Sequence, residues 1–403
     1  MRQARVLVLV LAAMLSASPG SAEISDGVVK LGVLNDQSSL YADLAGQGSV
    51  VAARMAVEDY GADKKGLKVE IVSADHQNKP DVGSAIARQW YDADKVDAIL
   101  DVPNSGVALA INQIAKDKGK AFLVTGAATA DLTGKACTPN TVHWTYDTWM
   151  LANGTGSAIV KTGGDTWFFI TADYAFGHAL ERDTAAVVQK NGGKVLGSVK
   201  VPLNTADFSS FLLQAQASKA KIIGLANAGG DTSNSIKQAA EFGIVKGGQN
   251  LAGLLVFLSD IHALGLQTAQ GLIFTEAFYW DTNEQTRAWA KRFAAKNDGK
   301  YPTMVHAGVY AGMLHYLKAV EAAKTDDGTK VVAKMKELPT DDILFGKGSI
   351  RIDGRKIHPV YLVEVKKPAE SKGPYDYYKI RATIPADQAF RPLADGECPL
   401  VKK

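Results

Sequence analysis

A chain of 403 residues exceeds what one hydrophobic core usually organises, so two domains are expected. Its 46% hydrophobic and 22% charged content is ordinary for a soluble globular protein. The formal net charge is only +3 and the Lys and Arg residues are dispersed. No basic stripe is available, which argues against a nucleic-acid partner.

Residues 1–22 read as a signal peptide. Arg2 and Arg5 form a positive start, residues 6–17 an apolar run too short to span a bilayer comfortably, and Gly20-Ser21-Ala22 a small-residue cleavage site. Cleavage after Ala22 is expected, leaving Glu23 first in a free periplasmic protein. No cysteine lies near the cut to carry a lipid.

From there short β-rich runs alternate with helical patterns. Strands are expected at 28–34, 67–73, 96–100 and 121–124, with helices at 44–60, 80–91 and 108–118 between them. This βαβ rhythm predicts a parallel, doubly wound sheet. Loop residues 134–140 and an extended segment 142–146 interrupt it. The alternation then restarts with helices at 151–161, 176–191, 209–218 and 232–242. Strands at 166–170, 194–199 and 222–226 and an apolar run at 251–257 separate them. After Gly271 an extended stretch at 272–278 leads to helices at 284–296, 304–323 and 329–336. Residues 349–352 and 360–365 read as a β-hairpin, and the tail from Lys366 is rich in proline and charge. The fold class is therefore α/β, with two Rossmann-like doubly wound lobes. The only cysteines, Cys137 and Cys398, are expected to be bridged in an oxidising compartment, tying the tail to mid-chain.

No motif of bond-making chemistry appears. The seven histidines form no His-Glu-x-x-His pair. Gly46-Gln47-Gly48 is followed by Val51 where a dinucleotide fingerprint needs its third glycine. Walker and Gly-x-Ser-x-Gly sequences are missing too. We therefore expect no enzyme activity, no metal and no cofactor. The informative positions are the loops that follow the strands, where open α/β sheets bind ligands. These are 35–41 with Tyr41, 103–106 with Asn104 and Ser105, 125–129 with Ala127, Ala128 and Thr129, 172–177 with Tyr174 and Phe176, and 227–231 with Asn227. Small residues and hydroxyls at helix starts leave backbone N–H groups open to an anion, so a carboxylate site is expected.

On these loops the chain resembles the type I periplasmic binding proteins of the leucine/isoleucine/valine-binding family. The resemblance rests on 29–34, Tyr41, Asn104-Ser105, 125–129 and 173–177, and covers the mature chain. It implies a monomeric receptor for a small molecule, serving an ABC permease, with three crossings near 143–146, 275–278 and 345–348. Lobes of 23–143 with 276–346, and of 144–275 with 347–403, follow. The resemblance puts a ligand carboxylate on Ser105, Ala127 and Thr129. It also leads us to expect an acidic ammonium partner after the strand at 251–256, where the sequence reads Phe257-Leu258-Ser259-Asp260. An ammonium without a counter-charge would cost several kcal/mol. Segments 35–41, 75–79 and 143–147 resemble a subgroup that takes up aromatic acids of hydroxycinnamate, phenylpyruvate or benzoate type. Aromatic walls are then expected from Tyr41, Trp144, Tyr146, Tyr174, Phe176, Phe257 and Phe278, with His76 or Asp260 meeting a ring hydroxyl. Two rivals stand beside this: a branched-chain amino-acid binder with Asp260 on the ammonium, and a periplasmic ligand sensor.

Overall fold

The structure is a computed structural model that describes residues 24–402. The signal peptide expected at 1–22 lies outside the described residues. Five parallel strands make the first sheet: β1 (Val29–Asn35), β2 (Val69–Asp75), β3 (Ala98–Asp101), β4 (Ala121–Val124) and β5 (Thr141–His143), in the order β2-β1-β3-β4-β5. β3 and β4 are buried along their whole length, as fits central strands covered on both faces. The strand order reverses beside β1, so the loops after β1 and β3 open a crevice there.

A second parallel sheet runs β7-β6-β8-β9, from β6 (Thr166–Ala172), β7 (Lys194–Val201), β8 (Ile222–Ala226) and β9 (Asn250–Gly253). Two doubly wound lobes are thus present. The apolar run at 251–257 is strand only as far as Gly253, and beyond it Leu255 and Phe257 line the cleft between lobes. The helix expected at 151–161 is interrupted. It forms as Thr148–Leu151, a π-helical turn at Ala152–Gly156, and Ser157–Lys161. A Cβ at Gly154 would lie 2.3 Å from Thr275 Oγ1, and Thr155 Oγ1 sits 2.9 Å from the same hydroxyl. The widened turn lets the helix approach β10 (Ile273–Glu276) that closely.

Beyond β10 the chain packs helices on the first lobe. Met304–Ala323 lies against Gly46–Tyr60, where the Tyr60 hydroxyl donates to the Leu317 carbonyl at 3.1 Å. A small antiparallel sheet follows, of β11 (Thr340–Asp342), β12 (Gly346–Ile350) and β13 (Lys356–Ile357). The hairpin expected between 349–352 and 360–365 does not form. Pro359 offers no N–H to continue a ladder, so β12 pairs with β13. The strand β14 (Val360–Val365) joins β10 and β15 (Tyr378–Ile384) in the order β10-β14-β15. The tail from Lys366, rich in proline and charge, thus holds a strand.

The third crossing also falls later than 345–348. β12 packs on the helix Gly328–Glu337, and Arg355 bridges to His143 of β5. Residues 347–357, expected in the second lobe, thus lie with the first, and the chain leaves at His358-Pro359. Cys137 and Cys398 are joined by a disulfide with their Cα atoms 5.5 Å apart.

Candidate functional site

The strand ends of both lobes converge on one cleft. On the first lobe Asp36 organises the loop after β1. Its carboxylate accepts from the Ser39 amide at 3.0 Å and the Tyr41 amide at 2.7 Å, which turns the Tyr41 ring inward. Leu44 stands beside it at the cleft, its carbonyl accepting from Thr303 Oγ1 at 2.7 Å. After β3 the backbone takes positive φ at Asp101 (78°) and Val102 (56°). For a β-branched residue this is strain of the kind that collects at functional sites. It is held by the buried Asp101 carboxylate, which accepts from Asn35 Nδ2 at 3.0 Å and Thr125 Oγ1 at 3.2 Å. Burial pushes that carboxyl up to about 6.

The loops after β3 and β4 are laced together. Ser105 Oγ accepts from the Thr129 amide at 3.2 Å, and Thr129 Oγ1 accepts from the Asp131 amide at 3.4 Å. Both hydroxyl protons therefore remain free to donate. Among the described residues, the amides of Ser105, Ala127 and Ala128 make no hydrogen bond. Burial holds His143 neutral, so its Nε2–H donates to the Ala127 carbonyl at 2.8 Å. This turns the carbonyl towards β5, on which His143 stands.

Across the cleft, Tyr174 and Phe176 stand at the start of the helix Ala175–Lys190, their ring centroids 5.9 Å apart. Phe257 meets Tyr146 edge-on at 5.9 Å, and the Tyr146 hydroxyl donates to the Gly126 carbonyl. Several contacts join the lobes across the cleft, among them Tyr41 Oη at 2.6 Å from Tyr174 Oη, Arg182 paired with Asp131 at 3.2 Å, and Leu40 resting on Gly229. Gly229 has φ +58°, and a Cβ there would come within 2.7 Å of the Leu40 carbonyl. Between the walls, the space open to the centre of a water-sized sphere is ≈ 10 Å³, room for about one water. The lobes stand closed on one another, and a larger guest requires them to part.

Of the residues singled out from sequence, Tyr41, Ala128, Tyr146, Tyr174, Phe176 and Phe257 line this cleft. Asn104, Ser105, Ala127 and Thr129 lie buried in the loops immediately behind. Asn104 caps its helix, Oδ1 accepting from the Gly106 amide at 2.9 Å and the Val107 amide at 3.1 Å. Five others are placed elsewhere. Asn227 is bonded to Thr232 at 2.8 Å and Ser235 at 3.3 Å, within the start of its own helix. Phe278 packs on Trp289 and Phe345 in the core. His76 is fully buried and its Nδ1 accepts from the Asn78 amide at 3.0 Å. Asp260 Oδ2 accepts from the Phe257 amide at 2.9 Å, holding the start of its own helix, and burial pushes its carboxyl up to about 7. Trp144 is also core, tilted against His315. Sequence reasoning missed Leu44, Pro103, Gly126, Ala228 and Leu255. All five are apolar or small and lie in or beside the quoted loops, with nothing but position to mark them.

Among the described residues, no charged side chain lines the cleft. Burial pushes the Tyr41 and Tyr174 phenols up, so both stay protonated at neutral pH. Such a site can grip an anion by hydroxyl and amide donors and enclose an apolar body.

Residues 28–373 match the family model for periplasmic binding proteins. The chain belongs to that family. Among its relatives, the Leu/Ile/Val-binding protein homolog 6 of Brucella abortus is 25% identical over 350 residues, 84% of this chain and 88% of that one. A periplasmic binding protein of Burkholderia mallei is 53% identical, with 94% and 100% of the two chains covered and a TM-score of 0.91. A branched chain amino acid ABC transporter periplasmic ligand-binding protein of Burkholderia xenovorans is 43% identical, covering 92% and 99%, with a TM-score of 0.82. A solute-binding protein of Rhodopseudomonas palustris, solved with benzoate, is 21% identical with a TM-score of 0.79 over 89% and 97%, and shares the fold. As a periplasmic binding protein, this chain is the solute-binding component of an ABC transporter. The family is non-enzymatic, works in the periplasm, and hands a small molecule to a permease.

Proposed function

We propose that this periplasmic binding protein captures a small aromatic carboxylate, with the acid group on the first lobe and the ring between the walls. The supporting observation is the pairing of two surfaces. The first lobe gathers the hydroxyls of Ser105 and Thr129 with the unpaired amides of Ser105, Ala127 and Ala128. Tyr41, Tyr146, Tyr174, Phe176 and Phe257 present rings to the same cleft. Solute-binding proteins of this fold from Rhodopseudomonas palustris hold benzoate and 4-hydroxybenzoate, which makes single-ring acids the first probes to try.

The second reading is a branched-chain amino acid, favoured by the names of the Brucella and Burkholderia xenovorans relatives. Against it, no carboxylate among the described residues lines the cleft to meet an ammonium, and Asp260 holds its own helix start. A thermal-shift screen decides between them, because a ligand raises stability by RT ln(1 + [L]/Kd). Benzoate, hydroxybenzoates and hydroxycinnamates are expected to raise the melting temperature while leucine, isoleucine and valine leave it unmoved. The opposite pattern overturns the aromatic reading.

A further inference from the structure

The C-terminal segment after β15 runs back over the hinge. The Gln388 carbonyl accepts from Asn153 Nδ2 of the second lobe at 2.9 Å. Phe390 then lies edge-on to His358, at 5.1 Å, and beneath the Arg355 guanidinium, at 4.5 Å, where the chain crosses between lobes. Arg351 Nη1 donates to the Arg391 carbonyl at 2.7 Å, and Arg351 is itself fixed by Asp353. Arg391 Nη2 reaches into the first lobe and donates to the Ala130 carbonyl at 2.9 Å. Cys398 closes the path on Cys137.

We infer that this segment is a fourth crossing between the lobes, and that Arg391 is a positioning residue that holds the 127–130 turn in its anion-binding shape. Ala130 follows Thr129 directly, and its amide is already fixed by Thr148 Oγ1 at 3.0 Å. Arg391 fixes the other side of the same residue, so the turn is gripped from both faces. Asp131, next in sequence, carries the interlobe pair with Arg182. A shift at Ala130 therefore reaches the donors and the closing contact together. The disulfide keeps the arginine from drifting when the lobes part, since it anchors the segment on the lobe that owns the turn. The inference rests on the carboxylate reading only for its effect on affinity.

The test compares the full chain with Arg391→Ala and Arg391→Lys, by hydrogen exchange without ligand and by calorimetry with benzoate. Arg391→Ala is expected to speed exchange of the 129–132 amides about five- to tenfold and to weaken benzoate by a similar factor, as for one lost hydrogen bond. Arg391→Lys, which keeps a donor, restores most of both. Unchanged exchange at 129–132, or a rise spread evenly over both lobes, overturns the positioning role. Faster local exchange in a protein whose parent ignores benzoate supports the role and removes the carboxylate reading instead. Should Arg391→Ala fail to fold, Cys398→Ser, which frees the anchor and keeps the arginine, is expected to show the same local loosening.

Discussion

The phenolic oxygens of Tyr41 and Tyr174 lie 2.6 Å apart and join the two lobes directly across the cleft. Both rings also line the cavity, so the contact that reports closure is made by the walls that enclose the guest. Burial keeps both phenols protonated, and the bond is therefore insensitive to pH over the physiological range. Removing one hydroxyl should leave each lobe intact and weaken only the closed form. Tyr174→Phe is expected to lower ligand affinity about fivefold, near 1 kcal/mol, through faster release. Stopped-flow release with an unchanged melting temperature checks it.

Thr129 offers a sharper case. Its oxygen accepts from the Asp131 amide and its proton is free, so Thr129→Val removes a donor to the ligand and orphans a backbone N–H. A loss of about 1–3 kcal/mol in carboxylate binding is expected, roughly a factor of five to 150. Calorimetry with benzoate measures it, and an unaltered Kd takes Thr129 out of the site.

Asp260 gives the protein a pH dependence whose sign follows from its burial. Its folded carboxyl titrates near 7, above the usual ~3.9 of an unfolded aspartate, so the folded state binds more protons between those values. The contribution to stability is complete below pH ~4 and lost as pH rises through 7. Buried His306 and His315, lowered to about 4, act oppositely, adding stability as pH rises from ~4 to ~6.5. The parent's own curve therefore mixes both signs. The difference isolates one: Asp260→Asn keeps an oxygen for the Phe257 amide and cannot ionise. Its melting temperature, relative to the parent, is expected to climb between pH 4 and 7 and to exceed it at pH 8.

The disulfide closes a separation of 261 residues. The double variant Cys137→Ser, Cys398→Ser is expected to lose about 2–4 kcal/mol of stability. Denaturant unfolding of the two forms gives the figure, and thiol counting under non-reducing conditions tests the bridge in the parent.

The two sheets were readable because central α/β strands are short, largely apolar and spaced by helical patterns, as at 98–101 and 121–124. The β12–β14 region was not. Two β-rich runs around a turn look like a hairpin, and only the position of Pro359 and the side chain of His358, bonded to the Thr145 carbonyl at 2.8 Å, separate them. The site was half legible for a related reason. Tyr41, Tyr174 and Phe176 carry chemistry that stands out in a loop. Pro103, Gly126 and Ala228 contribute only shape, and shape is decided by which strand ends meet. Asp260 and Asn227 show the converse, polar residues near a cleft that are consumed by their own helix starts.

Asp101 has a consequence for how such a receptor changes its guest. One carboxylate ties Asn35 and Thr125 together, and through them the loops after β1, β3 and β4, beside a backbone held at positive φ. Those loops cannot be retuned singly, because altering one loosens the other two. The opposite wall, of Phe176, Ala228, Leu255 and Phe257, carries no such tie among its side chains. Descendants of this gene that acquire new substrates should therefore differ there first, and keep the tied loops of the first lobe as inherited hardware.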